Sequence, residues 1–532
     1  MFLRLRGFVC AIVLVVLPFC VWAQEDGTNL GDYARQLREK KTAEPPSTTG
    51  IDAKGLFAEM DAILDFASAD TGYPKRSPVQ RKLLSRSQLD GMYLAAWNNA
   101  QGIEGRILNA ELVLKKFGLL PAEFELSSFL RTNVTKRISG LYRPDDKTMY
   151  LMNWVPLEQQ RPIMAHELTH ALQDQSFDLT RFMAPETVPS RSLRVTELDA
   201  SERSETRRAI VEGQATLVLL DYELQQAFAG RGRTLDAATY AHAMEFMQTR
   251  LQDYESPVSF RNAPLIFSAT TEFPYREGLA FELQAVRIGR RAAFAGMFDR
   301  PPRSTYEILE PDAYFAGKKP PVVPIPDLSS VLKDNYEPYD NGAMGEFDIY
   351  MFAKEFGRDN DIYSVAQKWN GGSYVIARRR SPDPRAKITT NDLALLYISR
   401  WRTPGAARRF VDLYRKALAK HVTITKEVLY ETQCEEDAEN CKGLSWGVHL
   451  DTSEGPASLE IWPGNTLLIS QSFEDATLAQ LRPLALAAPA QNLATSSGHE
   501  LHMKLYEIPD FVALQERFGQ DWLMNLLQSP AN

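Results

Sequence analysis

The sequence predicts an α+β protein, mainly helical over residues 51–316 with an edge β-hairpin set into that part, followed by a smaller α+β domain over residues 336–532. Three observations predict this. Apolar residues recur at helical spacing through most of the first part, and the period switches to that of strands between about Lys136 and Asn153. GKKPPVVPIPD, Gly317–Asp327, then places four prolines ahead of a strand-rich stretch, which reads as an extended linker over residues 317–335.

Composition bounds the function classes. With 44% hydrophobic and 24% charged residues the chain is neither disordered nor fibrous. A formal net charge of −8 and no basic run with interleaved aromatics argue against nucleic acid as a partner. The N-terminus, MFLRLRGFVCAIVLVVLPFCVWAQ, has Arg4 and Arg6, an apolar run from Phe8 to Ala23, and small residues at Val21 and Ala23. It reads as a secretory signal over residues 1–23, cleaved after Ala23, with a retained anchor as the alternative. The run is shorter than the roughly 20 apolar residues a spanning helix needs, so no stable membrane span is expected after its removal.

Residues 24–50, which include LREKKTAEPPSTTG, are too polar to bury a core and read as a tether. Leu56, Phe57, Met60, Ile63 and Leu64 start a helical scaffold, and AELVLKKFG ends one of its helices at Gly118. RISGLYRPDDKTMYLMNW reads as a hairpin turning at Pro-Asp-Asp. Pro156 and Pro162 introduce a helix running to about Phe177, and a second long helix spans about Glu202–Phe228. Beyond the linker, GSYVIARRR, LALLYISRW, GLSWGVHL and LEIWPGNTLLISQSF read as strands, and PGAARRFVDLYRKALAK as an amphipathic helix. Cys434 and Cys441 flank QCEEDAENC and are expected to pair in an oxidising compartment.

The chain has only seven histidines, yet two of them flank a glutamate in MAHELTHALQDQ. In a helix, His166 and His170 share a face, so both imidazoles can bind one metal while Glu167 reaches its open side. Zinc lowers the pKa of a bound water to about 7, and a carboxylate beside that water can take its proton. Ile163, Ala165, Leu168, Ala171 and Leu172 make the segment apolar enough to be buried, where such polar groups need a partner.

A catalytic zinc takes three protein ligands and leaves a fourth position open. The third candidate is Glu212 in ETRRAIVEGQATLVLLDYELQQ, which shares an otherwise small or apolar stripe with Ala209, Thr216 and Leu219. One zinc ion per chain is therefore expected, held by His166, His170 and Glu212, the donor set that suits zinc best.

HELTH followed on a later helix by Glu212-Gly213-Gln214-Ala215 resembles the gluzincin metallopeptidases, and the Glu-Gly-x-Ala wording is similar to that of the membrane-alanyl-aminopeptidase group. ISGLYRPDDKTMYL, HELTHALQDQSFDL, VEGQAT, FPYREGLAF and PPRSTYEIL also resemble a group of exported bacterial proteins that carry the same motif. The resemblance implies a zincin-like catalytic domain and hydrolysis of a peptide or protein substrate by zinc-bound water that Glu167 activates. It also implies an edge strand, Gly140–Tyr142 or Thr148–Leu151, against which an extended substrate aligns.

An oxyanion needs a donor besides zinc; the candidates are Tyr275, His242 and Tyr240. Asp174 and Asp178 could orient a zinc histidine, although Asp178 could equally cap the following turn. Asn341–Glu346, NGAMGE, is similar to an aminopeptidase signature but has the wrong spacing and order, so it reads as a loop and helix start. His421, His449, His499 and His502 have no useful spacing for a second site. Two other function classes stay open: a secreted binding or scaffold protein with a structural or vestigial zinc, and a zinc hydrolase of non-peptide amides or esters.

Overall fold

The computed structural model describes residues 53–100, 102–155, 157–184, 195, 200–227, 263–381, 383, 386–430 and 443–487. The signal and tether, Tyr240 and His242, the two C-terminal cysteines, and His499 and His502 lie outside these residues. Among the described residues no helix is long and apolar enough to cross a membrane.

The chain is a mixed α/β fold. Its first part contains helices α1 (Ala53–Thr71), α2 (Arg86–Asn99), α3 (Ile103–Lys116), α4 (Leu126–Asn133), α5 (Leu157–Phe177), the short α6 (Leu179–Phe182), α7 (Ala200–Ala227) and α8 (Leu265–Asp299). Two of their ends show a local cause. Helix α3 ends as Gly118 turns left-handed, with Gly118 N–H donating to the Lys115 carbonyl and Leu119 N–H to that of Leu114. Helix α2 starts at a reciprocal Ser85–Gln88 cap.

Strands β1 (Gln80–Leu84), β2 (Gly140–Arg143) and β3 (Thr148–Met152) form a small sheet in the order β1-β3-β2. The hairpin is present, but only Gly140–Arg143 is an edge; Thr148–Leu151, the other expected edge, is enclosed, because β1 pairs with it in parallel. Strand β1 was not legible: QRKLL is short, polar and far in sequence from its partner.

The second part is a seven-stranded antiparallel sheet, in order β4-β5-β6-β10-β9-β8-β7. Its strands are β4 (Tyr336–Ala343), β5 (Trp369–Arg379), β6 (Leu393–Trp401), β7 (Ile424–Tyr430), β8 (Trp446–Thr452), β9 (Gly455–Trp462) and β10 (Thr466–Gln471). Asn341–Ala343 belong to edge strand β4, not to a loop: pairing with β5 overrides their turn-like chemistry, and a register shift after Pro338 accommodates the proline. The helix start was read correctly, since Gly345 precedes α9 (Glu346–Phe356) and its N–H donates to Asp348.

Both faces of the central strands are buried, which explains the unbroken apolar run LALLYI in β6. Tyr374, Ile376, Leu395 and Tyr397 face α10 (Pro404–Leu418), α9 and Phe117 after α3, forming one core with the helical part. Thr403 caps α10 by accepting from Ala406 N–H, and Phe410, Val411, Tyr414 and Leu418 fill its apolar stripe. On the opposite face Val375, Ala377, Leu396 and Ile398 meet α11 (Asp475–Leu486) and the proline-rich stretch. That stretch is extended yet packed: Val323 and Ile325 are buried, and Ile325 exchanges backbone hydrogen bonds with Val195.

Candidate metal centre

Helix α5 carries His166, Glu167 and His170, and α7 packs across it carrying Glu212. All four are at most 3% exposed. His166 Nε2 lies 3.0 Å from His170 Nε2 and 3.2 Å from Glu212 Oε2, and His170 Nε2 lies 3.4 Å from that same oxygen. Three donor atoms thus form a nearly equilateral triangle. A tetrahedral ion with bonds of about 2.05 Å requires donors about 3.3 Å apart, so the residues fit such an ion. This buried group could hold a metal.

The helix crossing that delivers Glu212 depends on two glycines. A Cβ on Gly213 of α7 would stand 2.4 Å from the backbone of Gly278 in α8, and one on Gly278 would stand 2.2 Å from the Ala209 carbonyl. Tyr275, one turn before Gly278, lies against His166, with ring centroids 5.9 Å apart and planes at 26°. The structure therefore brings Tyr275 to the predicted site.

Glu167 is held from the other side. The backbone N–H of Tyr142, in edge strand β2, donates to Glu167 Oε2 at 2.7 Å. Gly140 permits this approach, since a Cβ there would fall 2.5 Å from Ile163 Cγ2.

The electrostatics follow from charge in a dry site. Burial pushes the Glu167 carboxyl up, against the lowering pull of both imidazoles. Burial would raise Glu212 too, but His170 and His166 outweigh it and hold that carboxyl well below the usual range. For His170, burial pulls the ring down and the Glu212 carboxylate carries it up to about 9. Two carboxylates and two imidazoles buried together favour a cation among them.

Asp174 does not orient a histidine. Its oxygens accept from Tyr142 Oη, Lys147 Nζ and Leu179 N–H, so it ties α5 to the hairpin and to α6. Asp178 caps α6 by accepting from Arg181 N–H. The residue behind His170 is Gln173, whose Oε1 lies 2.9 Å from His170 Nδ1. Sequence reasoning missed it because Gln173 and Asp174 lie on the same side of the helix as His170, and an acid was the more familiar partner. Its neighbour Gln214, directly after the Glu212-Gly213 pair, was missed as well.

No family model, curated protein or solved structure matches this chain.

Proposed function

We propose that the chain is an exported zinc-dependent metallopeptidase with a zincin-like catalytic domain. The observation that carries this reading is the donor triangle of His166, His170 and Glu212, with Glu167 one residue beyond the first ligand and tethered to an edge strand. Zinc bound there would polarise a scissile carbonyl and lower the pKa of a coordinated water. In this reading Glu167 accepts the proton of that water and delivers it to the leaving amine. Among the described residues strand β2 lies at an edge of its sheet, where an extended peptide would align beside the Tyr142 N–H already taken by Glu167, and Tyr275 beside His166 would donate to the oxyanion.

One observation favours a second reading. The near-complete burial of all four groups suits a metal that stabilises a binding or scaffold protein. Glu167→Gln separates the two. In the peptidase the variant keeps its zinc and loses turnover of a peptide library by about 100- to 10,000-fold. Undiminished turnover with zinc bound would remove Glu167 from the chemistry, and a wild type that binds zinc but cleaves no peptide would leave the structural reading.

A further inference from the structure

Behind the donor triangle lies a chain of buried amides that the peptidase reading does not use. Gln173 Nε2 donates to the Val211 carbonyl at 3.1 Å and to Gln214 Oε1 at 3.3 Å. Gln214 Nε2 donates to the Phe294 carbonyl at 3.0 Å and to Glu282 Oε1 at 3.3 Å, while its Oε1 also accepts from Tyr73 Oη at 2.8 Å. Gln173, Gln214 and Glu282 are fully buried and Tyr73 is nearly so.

These partners determine which way each amide points. The Val211 and Phe294 carbonyls can only accept, so they must face the two NH2 groups. With both hydrogens of Gln173 directed at Val211 and Gln214, its oxygen is left facing His170 Nδ1. A ring nitrogen opposite an acceptor has to carry a proton. His170 is therefore held with Nδ1–H towards Gln173 and with Nε2 towards His166 and Glu212, the orientation a metal ligand needs.

We propose that Gln173 and Gln214 are positioning residues for His170, and that the relay anchored by Tyr73, Glu282 and the Val211 and Phe294 carbonyls sets the metal affinity of the site. The relay ties α7, α8 and Tyr73, two residues past the end of α1, to Gln173 on α5, so correct packing of three segments against α5 is read out at one ligand nitrogen. The affinity part rests on the zinc reading above; the orientation of His170 does not.

The test compares wild-type full chain with Gln173→Met, Gln173→Glu and Tyr73→Phe, using zinc as the probe. Zinc affinity is measured by chelator competition, and the His170 ring proton by NMR of protein carrying 15N-histidine, with and without zinc. Gln173→Met, which fills the space without an acceptor, should weaken zinc binding about 10- to 100-fold. Gln173→Glu keeps an acceptor for His170 Nδ1 but sets its second oxygen against the Val211 carbonyl and Gln214 Oε1, so it should weaken zinc binding yet keep the Nδ1 proton, and the mild Tyr73→Phe change should show a smaller loss in the same direction. The wild type should show a protected Nδ1 proton in both metal states. Wild-type affinity in folded Gln173→Met, no protected Nδ1 proton in folded Gln173→Glu, or no protected Nδ1 proton in the wild type would each overturn the relay. A wild type that binds no zinc but keeps the proton supports the orientation of His170 and refutes the zinc reading alone.

Discussion

Tyr142 and Glu167 are joined by one hydrogen bond, from the backbone N–H of an edge strand to a carboxylate on the neighbouring helix at 2.7 Å. That contact joins the carboxylate proposed as the base to the edge strand proposed to align substrate in one unit, and Gly140 is what lets the strand come so near.

Gly140→Ala should disturb that unit. The added methyl meets Ile163 Cγ2 at 2.5 Å, and relief requires β2 to move off α5. The expected loss is about 1–3 kcal/mol of stability. Ile163→Ala added to it should recover part of the loss, so that chemical denaturation of the four proteins gives a favourable coupling.

The α7–α8 crossing is stricter, because the obstacle there is backbone. Gly213→Ala or Gly278→Ala should destabilise by about 3 kcal/mol or more and separate Glu212 from the histidines. Gly296→Ala, later in α8, meets nothing within 4 Å and should instead stabilise by about 0.5–1 kcal/mol. Thermal unfolding of the three variants checks the contrast in sign.

Lys116 joins the two parts of the chain. It is fully buried at the end of α3, and its ammonium donates to Glu454 at 2.7 Å, Ser472 Oγ at 2.8 Å and the Thr390 carbonyl at 3.3 Å. Lys116→Met leaves Glu454 without its cation and should lower stability by about 3–5 kcal/mol. Adding Glu454→Gln should recover much of that, which denaturant titration would reveal.

His421 sits beside that pair and makes stability depend on pH. Burial pushes its imidazole down from 6.5 to about 4, against the Glu454 carboxylate and with the Lys116 ammonium. The unfolded chain therefore binds a proton below about pH 6.5 that the folded chain refuses until about pH 4. Stability should be full above pH 6.5 and fall as the pH drops through this window, by at most about 3 kcal/mol. His421→Gln should flatten the profile of unfolding free energy between those values; an unchanged slope would contradict this role.

The site was legible where one element carries its whole logic. His166, Glu167 and His170 announce themselves by spacing on one helix, and Glu212 by being an acid on an apolar stripe. Tyr275 could be named only as a candidate, because its approach to His166 depends on how α8 crosses α7. Gln173 and Gln214 were illegible for a related reason: which way an amide points is decided by carbonyls on other helices. In the fold, β5, β6, β8, β9 and β10 were readable from their apolar runs, whereas the polar, exposed edge strand β7 was not. Strand β1 and the buried proline-rich stretch were not, since partners distant in sequence create both.

The most direct test of the metal centre is the zinc content of purified wild type and Glu212→Ala after dialysis, by elemental analysis. About one zinc per chain in the wild type, lost in the variant, is the predicted result. Zinc retained without Glu212, or no zinc in a folded wild type, would contradict the His166–His170–Glu212 site.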